Sequence, residues 1–185
     1  RFYAFNSRFE GEVPWMYLDV KGLVTVGVGN LIDPVARATR LPFRRPDGSR
    51  ASAAEIAAEW AVIKRAARLA RQGAGAAKAI ARLRLTKADI AVLVTEQMQT
   101  DATFMQHHYF PDFEHWPADA QLATASMAWA LGAGFPSTWP RLRKALQSRR
   151  FADAATECQI DTRGNAGVAP RNAANRELYL RASAE

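Results

Sequence analysis

One stretch of this chain alternates as strands do, and it is short. Between Pro14 and Asn30 the residues Tyr17, Gly22, Gly27 and Gly29 punctuate a run in which Leu23, Thr25 and the intervening valines have strong strand propensity. The sequence DVKG, Asp19 to Gly22, reads as a turn between two short strands. Nearly all the remaining periodic sequence is helical, and there is no internal repeat. The expected class is therefore α+β and mostly α, with a small hairpin near the beginning.

The helical pattern can be followed by its start and stop signals. Phe2, Phe5 and Phe9 fall at helical spacing, which predicts a short opening helix that buries three rings and ends beside Glu10. From Asp33 to Ser52, prolines, arginines and Asp47-Gly48 describe an irregular surface connection. The capping box SAAE, Ser52 to Glu55, opens a helix with Ile56, Trp60, Ile63 and Ala67 on one face, fading near Gly73. A second start signal, TKAD from Thr86 to Asp89, leads through Ile90, Leu93, Val94 and Met98 toward Met105. Pro117 then fits the first turn of a helix that runs to about Leu131 and is stopped by Gly132 and Gly134. That helix is apolar nearly all round, as a central buried helix is. Shorter patterns follow at 140–148, 151–158 and 169–182.

With 185 residues, 49% of them hydrophobic and spread throughout, the chain is expected to form one domain over 1–185. Its longest apolar stretches are Ala-rich and too short for a membrane span. The lone Cys158 excludes an internal disulfide and reads as a small buried hydrophobe. A net charge of +7 fits an anionic partner, and equally a solvated arginine-rich surface. The opening at Arg1, with no Met and no signal pattern after it, fits a processed chain or one module of a longer polypeptide.

Several constellations carry little chemistry. His107 and His108 are adjacent and point about 100° apart on a helix, and His115 has no partner at ligand spacing, so neither metal nor other cofactor is expected. Gly27 to Gly29 lacks the third glycine and the Lys-Ser/Thr of a phosphate cradle and is better explained by a turn or tight strand packing. Ser7, Ser126 and Ser137 lack the glycines of a nucleophile elbow. Glu10, Asp19 and Thr25 differ. Glu10 follows a phenylalanine face that would partly desolvate it, whereas Asp19 sits in a turn among solvent and backbone donors. Two carboxyl groups in unlike settings are what glycosidic cleavage requires. From spacing alone, the plainer account is a helix-end glutamate and a turn aspartate with no shared chemistry.

The order of residues around them resembles a known family. Glu10-Gly11, Tyr17, Asp19, Gly22 and TVGVG from Thr25 to Gly29 resemble the active-site segment of bacteriophage-type lysozymes, muramidases that cut peptidoglycan. LTKADIAVLV at 85–94 resembles the family's second-lobe helix start, and SMAWALGAGF at 126–135 its central helix and glycine turn. LRKALQSRRFADAA at 142–155 and GVAPRNAANRELYL at 167–180 resemble its C-terminal helices.

The resemblance implies a lysozyme-like fold, with a small N-terminal hairpin lobe, a helical C-terminal lobe and a saccharide cleft between them. It implies hydrolysis, with inversion, of the β-1,4 bond between N-acetylmuramic acid and N-acetylglucosamine. Glu10 takes the place of the general acid, Asp19 and Thr25 that of the pair placing the attacking water, and Arg171 that of an arginine near the glutamate. Tyr17, Gly29 and Asn30 fall at supporting positions. Asn30 stands where the family usually has His, and Ala130 where it has a polar amide. Residues 33–85 form an enlarged connection with an extra helix, expected to pack Trp60 onto the lobe. The implied partner is bacterial peptidoglycan, met at the wall by a monomer delivered through phage lysis or secretion, with an immunity protein if it is an antibacterial effector. The rivals are a wall-binding module of the same fold that does not cut, and a basic nucleic-acid-binding helical domain. The dispersed arginines and missing recognition motif argue against nucleic acid.

Overall fold

The alternation from Pro14 to Asn30 becomes a three-stranded antiparallel sheet in the order β1-β2-β3. Strand β1 is Val13–Leu18, β2 is Val24–Gly27 and β3 is Asn30–Leu31. The sequence anticipates two strands. The third exists because Gly27 and Gly29, at φ 69° and 82°, turn the chain back so that Val26 pairs with Asn30. In the computed structural model, which describes residues 1–163 and 166–185, two compact units are distinguished: Glu10–Val94, and Arg1–Phe9 with Thr95–Glu185.

The unit Glu10–Val94 is built on the sheet. Leu18 lies opposite Val24, and alternation puts Met16, Leu18, Val24 and Val26 on one face, all at most 2% exposed. Phe43, Ile56, Ile63 and Ile90 complete this core. Helix α1 is Phe2–Glu10, α2 is Val35–Ala38 and α3 is Ala53–Arg65.

Helix α3 starts at the expected capping box: the Ser52 hydroxyl accepts from the Glu55 amide, and the Glu55 side chain accepts from the Ser52 amide. It packs on β1 and β2. It stops at Arg65, short of Gly73, because Ala66 leaves the helical region at ψ 48°. The chain continues as 3-10 turns at Ala67–Arg71 and Ala74–Ala79, so Ala67 falls outside the helix and is exposed. The Glu59 carboxylate accepts from the amides of Arg82 and Leu83, which pins the returning chain. Trp60 is half-buried and donates its indole N–H to the Ile32 carbonyl at 3.0 Å, holding α3 to the end of the sheet segment.

The other unit is helical. Helix α4, Lys87–His108, begins in the Glu10–Val94 unit with a reciprocal Thr86–Asp89 cap, belongs to the helical unit from Thr95 onward and reaches about one turn past Met105. Helix α5, Ala118–Leu131, is buried at every residue from Leu122 to Ala128 and ends at Gly132, φ 88°. Helices α6, Pro140–Gln147, α7, Phe151–Glu157, and α8, Ala169–Ala182, follow, and α8 packs on both α5 and α7. Inside, the hydroxyls of Thr124 and Tyr179 meet at 2.8 Å. Cys158 is fully buried, and burial pushes its thiol up to about 11.

Helix α1 corrects one expectation. Phe2 is buried, but the residue beside it on the inner face is Asn6, one helical turn along. Phe5 and Phe9 are half-buried and pack edge to face at 5.2 Å. The inner face is drawn to Asn6 because that amide is needed by a buried arginine, described below. Among the described residues no helix is long and apolar enough to cross a membrane.

Asp119 of α5 is bound by Arg181 of α8 at 2.6 Å and by Arg1. Burial acts to raise its carboxyl, yet the two guanidinium contacts hold it below the usual carboxylate range. A depressed carboxyl contributes stability above its unfolded pKa and loses it as pH falls through the folded value. Asp119→Asn is therefore expected to lower Tm at neutral pH and to change it little in strong acid. Scanning calorimetry of both proteins across the acid range measures the difference.

Candidate active site

The motif residues gather on the face of the sheet turned away from its core. Tyr17 lies directly opposite Thr25 in the β1–β2 register, and Asp19 follows Tyr17 by two positions just beyond the strand. Alternation therefore puts Tyr17, Asp19 and Thr25 on one face, opposite Leu18 and Val24.

Asp19 both opens and locks the hairpin turn. Its Oδ1 accepts from the amides of Lys21 and Leu23, each at 2.8 Å. Its backbone amide donates to the Leu23 carbonyl at 2.9 Å, and its carbonyl accepts from Gly22 at 3.0 Å. Gly22, at φ 74°, is where this turn requires glycine. Among the described residues, Asp19 Oδ2 has no protein hydrogen-bond partner. Thr25 is 4% exposed and donates its hydroxyl proton to the Leu23 carbonyl at 3.2 Å, so the lone pairs of Oγ1 remain acceptors.

Glu10 is the last residue of α1 and is exposed. Of the three phenylalanines before it, Phe5 and Phe9 are half-buried and Phe2 is buried. The Tyr17 phenol links the two carboxylates: burial first, then the negative charges of Glu10 and Asp19, push it up to about 12. Glu10, Tyr17 and Asp19 thus occupy one electrostatic neighbourhood of the Glu10–Val94 unit.

Gly29 and Asn30 build the next turn. The Asn30 side-chain oxygen accepts from the Val28 amide at 3.2 Å, and Asn30 is 5% exposed. Its contact is a turn closure, with Gly29 exposed at the tip. A β-carbon on Gly27 would meet Asn30 Oδ1 at 3.0 Å and Ile90 at 3.2 Å, which explains the glycine there.

Arg171 lies in the helical unit and is 2% exposed. Its guanidinium donates to Asn6 Oδ1 at 2.7 Å and to the Ser126 hydroxyl and carbonyl at 3.0 and 3.1 Å. It also stacks over the Phe9 ring at 4.9 Å. Arg171 therefore ties α8 and α5 to α1, the helix that ends in Glu10. Ala130 is exposed near the end of α5. A groove lined by Trp139, Arg141, Thr156, Glu157 and Gln159 lies in the helical unit, and its lining includes none of the motif residues.

Four participants were not read from the sequence. Asn6 and Ser126 serve as acceptors for Arg171, and an asparagine within an aromatic helix face was the available signal. Lys64 and Asp33 are the others: Lys64 Nζ donates to the Gly22 carbonyl at 2.9 Å and to Asp33 Oδ2 at 2.7 Å. No local pattern announces a contact between residues 42 apart. Among the described residues no three His, Cys, Asp or Glu side chains form a group that could hold a metal. Comparison of the chain with known proteins finds no matching family model and no curated protein that matches.

The Tyr17 environment makes a measurable prediction. A phenol raised from 10.0 to about 12 stays protonated in the fold after it has ionised in the unfolded chain, so stability falls as pH rises through that window. Removing either negative charge, by Glu10→Gln or Asp19→Asn, is expected to bring the Tyr17 pKa down. NMR titration of the ring carbon bearing the hydroxyl reads it directly. An unchanged value in both variants would separate Tyr17 from the carboxylates.

Proposed function

We propose that this chain is a lysozyme-like peptidoglycan hydrolase that cuts the β-1,4 bond between N-acetylmuramic acid and N-acetylglucosamine with inversion. One observation carries the proposal: Asp19 keeps one carboxylate oxygen unused on the sheet face that also carries Thr25, while Tyr17 between them in the motif feels both Asp19 and Glu10. Support comes from this site chemistry and from the order of motif residues, not from a family match.

In the proposed reaction Glu10 protonates the glycosidic oxygen as the bond breaks. Asp19 Oδ2 and Thr25 Oγ1 both act as acceptors. A water that gives one hydrogen to each has its lone pair free to attack the anomeric carbon from the opposite side. As Asp19 takes the proton, the bond to the new hydroxyl forms and the leaving sugar departs with the proton from Glu10. The exposed position of Glu10 makes the bound glycan itself the group that displaces water from it. Inversion follows from a base that works through water, since retention needs the carboxylate itself within about 5 Å of its partner. The natural setting is the bacterial wall, reached by lysis or secretion. For an antibacterial effector, the open carboxylate face is what an immunity protein would cover.

Glu10→Gln keeps the shape but has no proton to give, and loss of general acid catalysis costs roughly 10²- to 10⁴-fold. Turbidity clearing of purified walls is expected to fall to that extent with the fold intact by circular dichroism. Clearing at above a tenth of the unmodified rate would remove Glu10 from the acid role, and no clearing by the unmodified protein, with retention on walls, would make it a binding module. Proton NMR of the new reducing end in the first minutes is expected to show the α-anomer before mutarotation. The β-anomer first would mean retention and would recast Asp19 as nucleophile.

A further inference from the structure

We infer that Lys64 is a positioning residue for Asp19, acting through the single peptide that joins Gly22 to Leu23. For catalysis this rests on the proposed function, but the positioning itself does not. The carbonyl of that peptide accepts from Lys64 Nζ at 2.9 Å, while its N–H donates to Asp19 Oδ1 at 2.8 Å. One rigid plane therefore has the ammonium at one end and the carboxylate at the other.

Glycine makes this plane free to turn. Gly22 sits at φ 74°, and a residue without a β-carbon passes between left- and right-handed conformations at little cost. Nothing crowds its missing side chain, and the neighbouring Val20 is 77% exposed, so packing does not hold the turn. The ammonium fixes the direction of the carbonyl and hence that of the N–H. Its positive charge also polarises the peptide, which strengthens the N–H as a donor.

The ammonium is itself held. Asp33 Oδ2 accepts from Lys64 at 2.7 Å and from the Val24 amide at 3.2 Å, so the anchor is on the strand leaving the same turn. Burial acts to raise the Asp33 carboxyl, and the contacts with Lys64 and the Val24 amide together more than offset it, in keeping with an ionised pair. Lys64 lies in the last turn of α3, where the helix dipole favours a cation, and within 6.0 Å of the Trp60 ring. The enlarged connection thereby contributes a clamp to the turn that carries Asp19.

The test compares Lys64→Met, which keeps the stem, with Lys64→Arg, which restores a cation. Native-state hydrogen exchange at the Leu23 amide is expected to quicken by about tenfold or more in Lys64→Met, while Val94 and Tyr179 amides change little. At saturating wall substrate, kcat is expected to fall by about 10- to 100-fold with KM little changed, as a displaced catalytic group requires. Lys64→Arg should restore most of both. Asp33→Asn provides the same readouts where the methionine variant does not fold. Unchanged Leu23 exchange, or acceleration shared equally by all core amides, overturns the inference. If the unmodified protein cuts no wall, the exchange result alone decides the positioning and the proposed function fails separately.

Discussion

A guanidinium can leave water only if the protein supplies acceptors in its place, and Arg171 is 2% exposed. Its acceptors include groups from two other helices: the Asn6 amide of α1, and the hydroxyl and carbonyl of Ser126 in α5. The Phe9 ring covers it from α1. These requirements explain why a polar residue occupies the inner face of an otherwise aromatic helix, and why Ser126 is buried without being a nucleophile. Loss of Asn6 would leave a buried charge short of one partner, which costs more than an ordinary hydrogen bond contributes.

The sheet solves a different problem. Met16, Leu18, Val24 and Val26 bury one face, and on β2 the other face is covered as well, with Thr25 4% exposed. That other face carries polar and aromatic residues, among them the turn aspartate, Tyr17 and the strand threonine. Stability for so small a sheet has to be imported. Segment 33–85 provides it through α3, the Trp60–Ile32 bond, the Lys64 clamp and the return held by Glu59. Several cations in the chain are also engaged internally, as in Arg45–Glu55, Arg149–Asp112 and Arg181–Asp119. Each such pair is neutral, so the net charge of +7 still counts the excess of cations over carboxylates.

What the sequence disclosed follows the range of the forces involved. Capping boxes at Ser52 and Thr86, the glycine stop at Gly132 and the all-round apolar α5 are local signals, and each element begins or ends close to where those signals put it. The third strand and the end of α3 at Arg65 were missed because they depend on a tight return and on a chain pinned from residues 82 and 83. Within the site, Asp19 as a turn carboxylate was legible because Asx geometry lies within a few residues. The burial of Phe5 and Phe9 was overestimated, because the demand of Arg171 for Asn6 comes from 165 residues away. Asn30 was expected only as a replacement for histidine. Its actual work, closing the turn onto Val28, uses a two-residue contact that an asparagine side chain makes readily.

For the proposed reaction, indirect positioning by Lys64 suits a base that works through water. An ammonium placed directly on Asp19 would occupy the carboxylate oxygen that the water needs and would oppose transfer of a proton to it. Acting through the Gly22–Leu23 peptide, the same charge orients Oδ1 and leaves Oδ2 open. The cost is a dependence on glycine, since a side chain at φ 74° would strain the peptide through which the contact passes. The glycine in the DVKG turn is thus required twice, once to make the turn and once to let a distant lysine aim it.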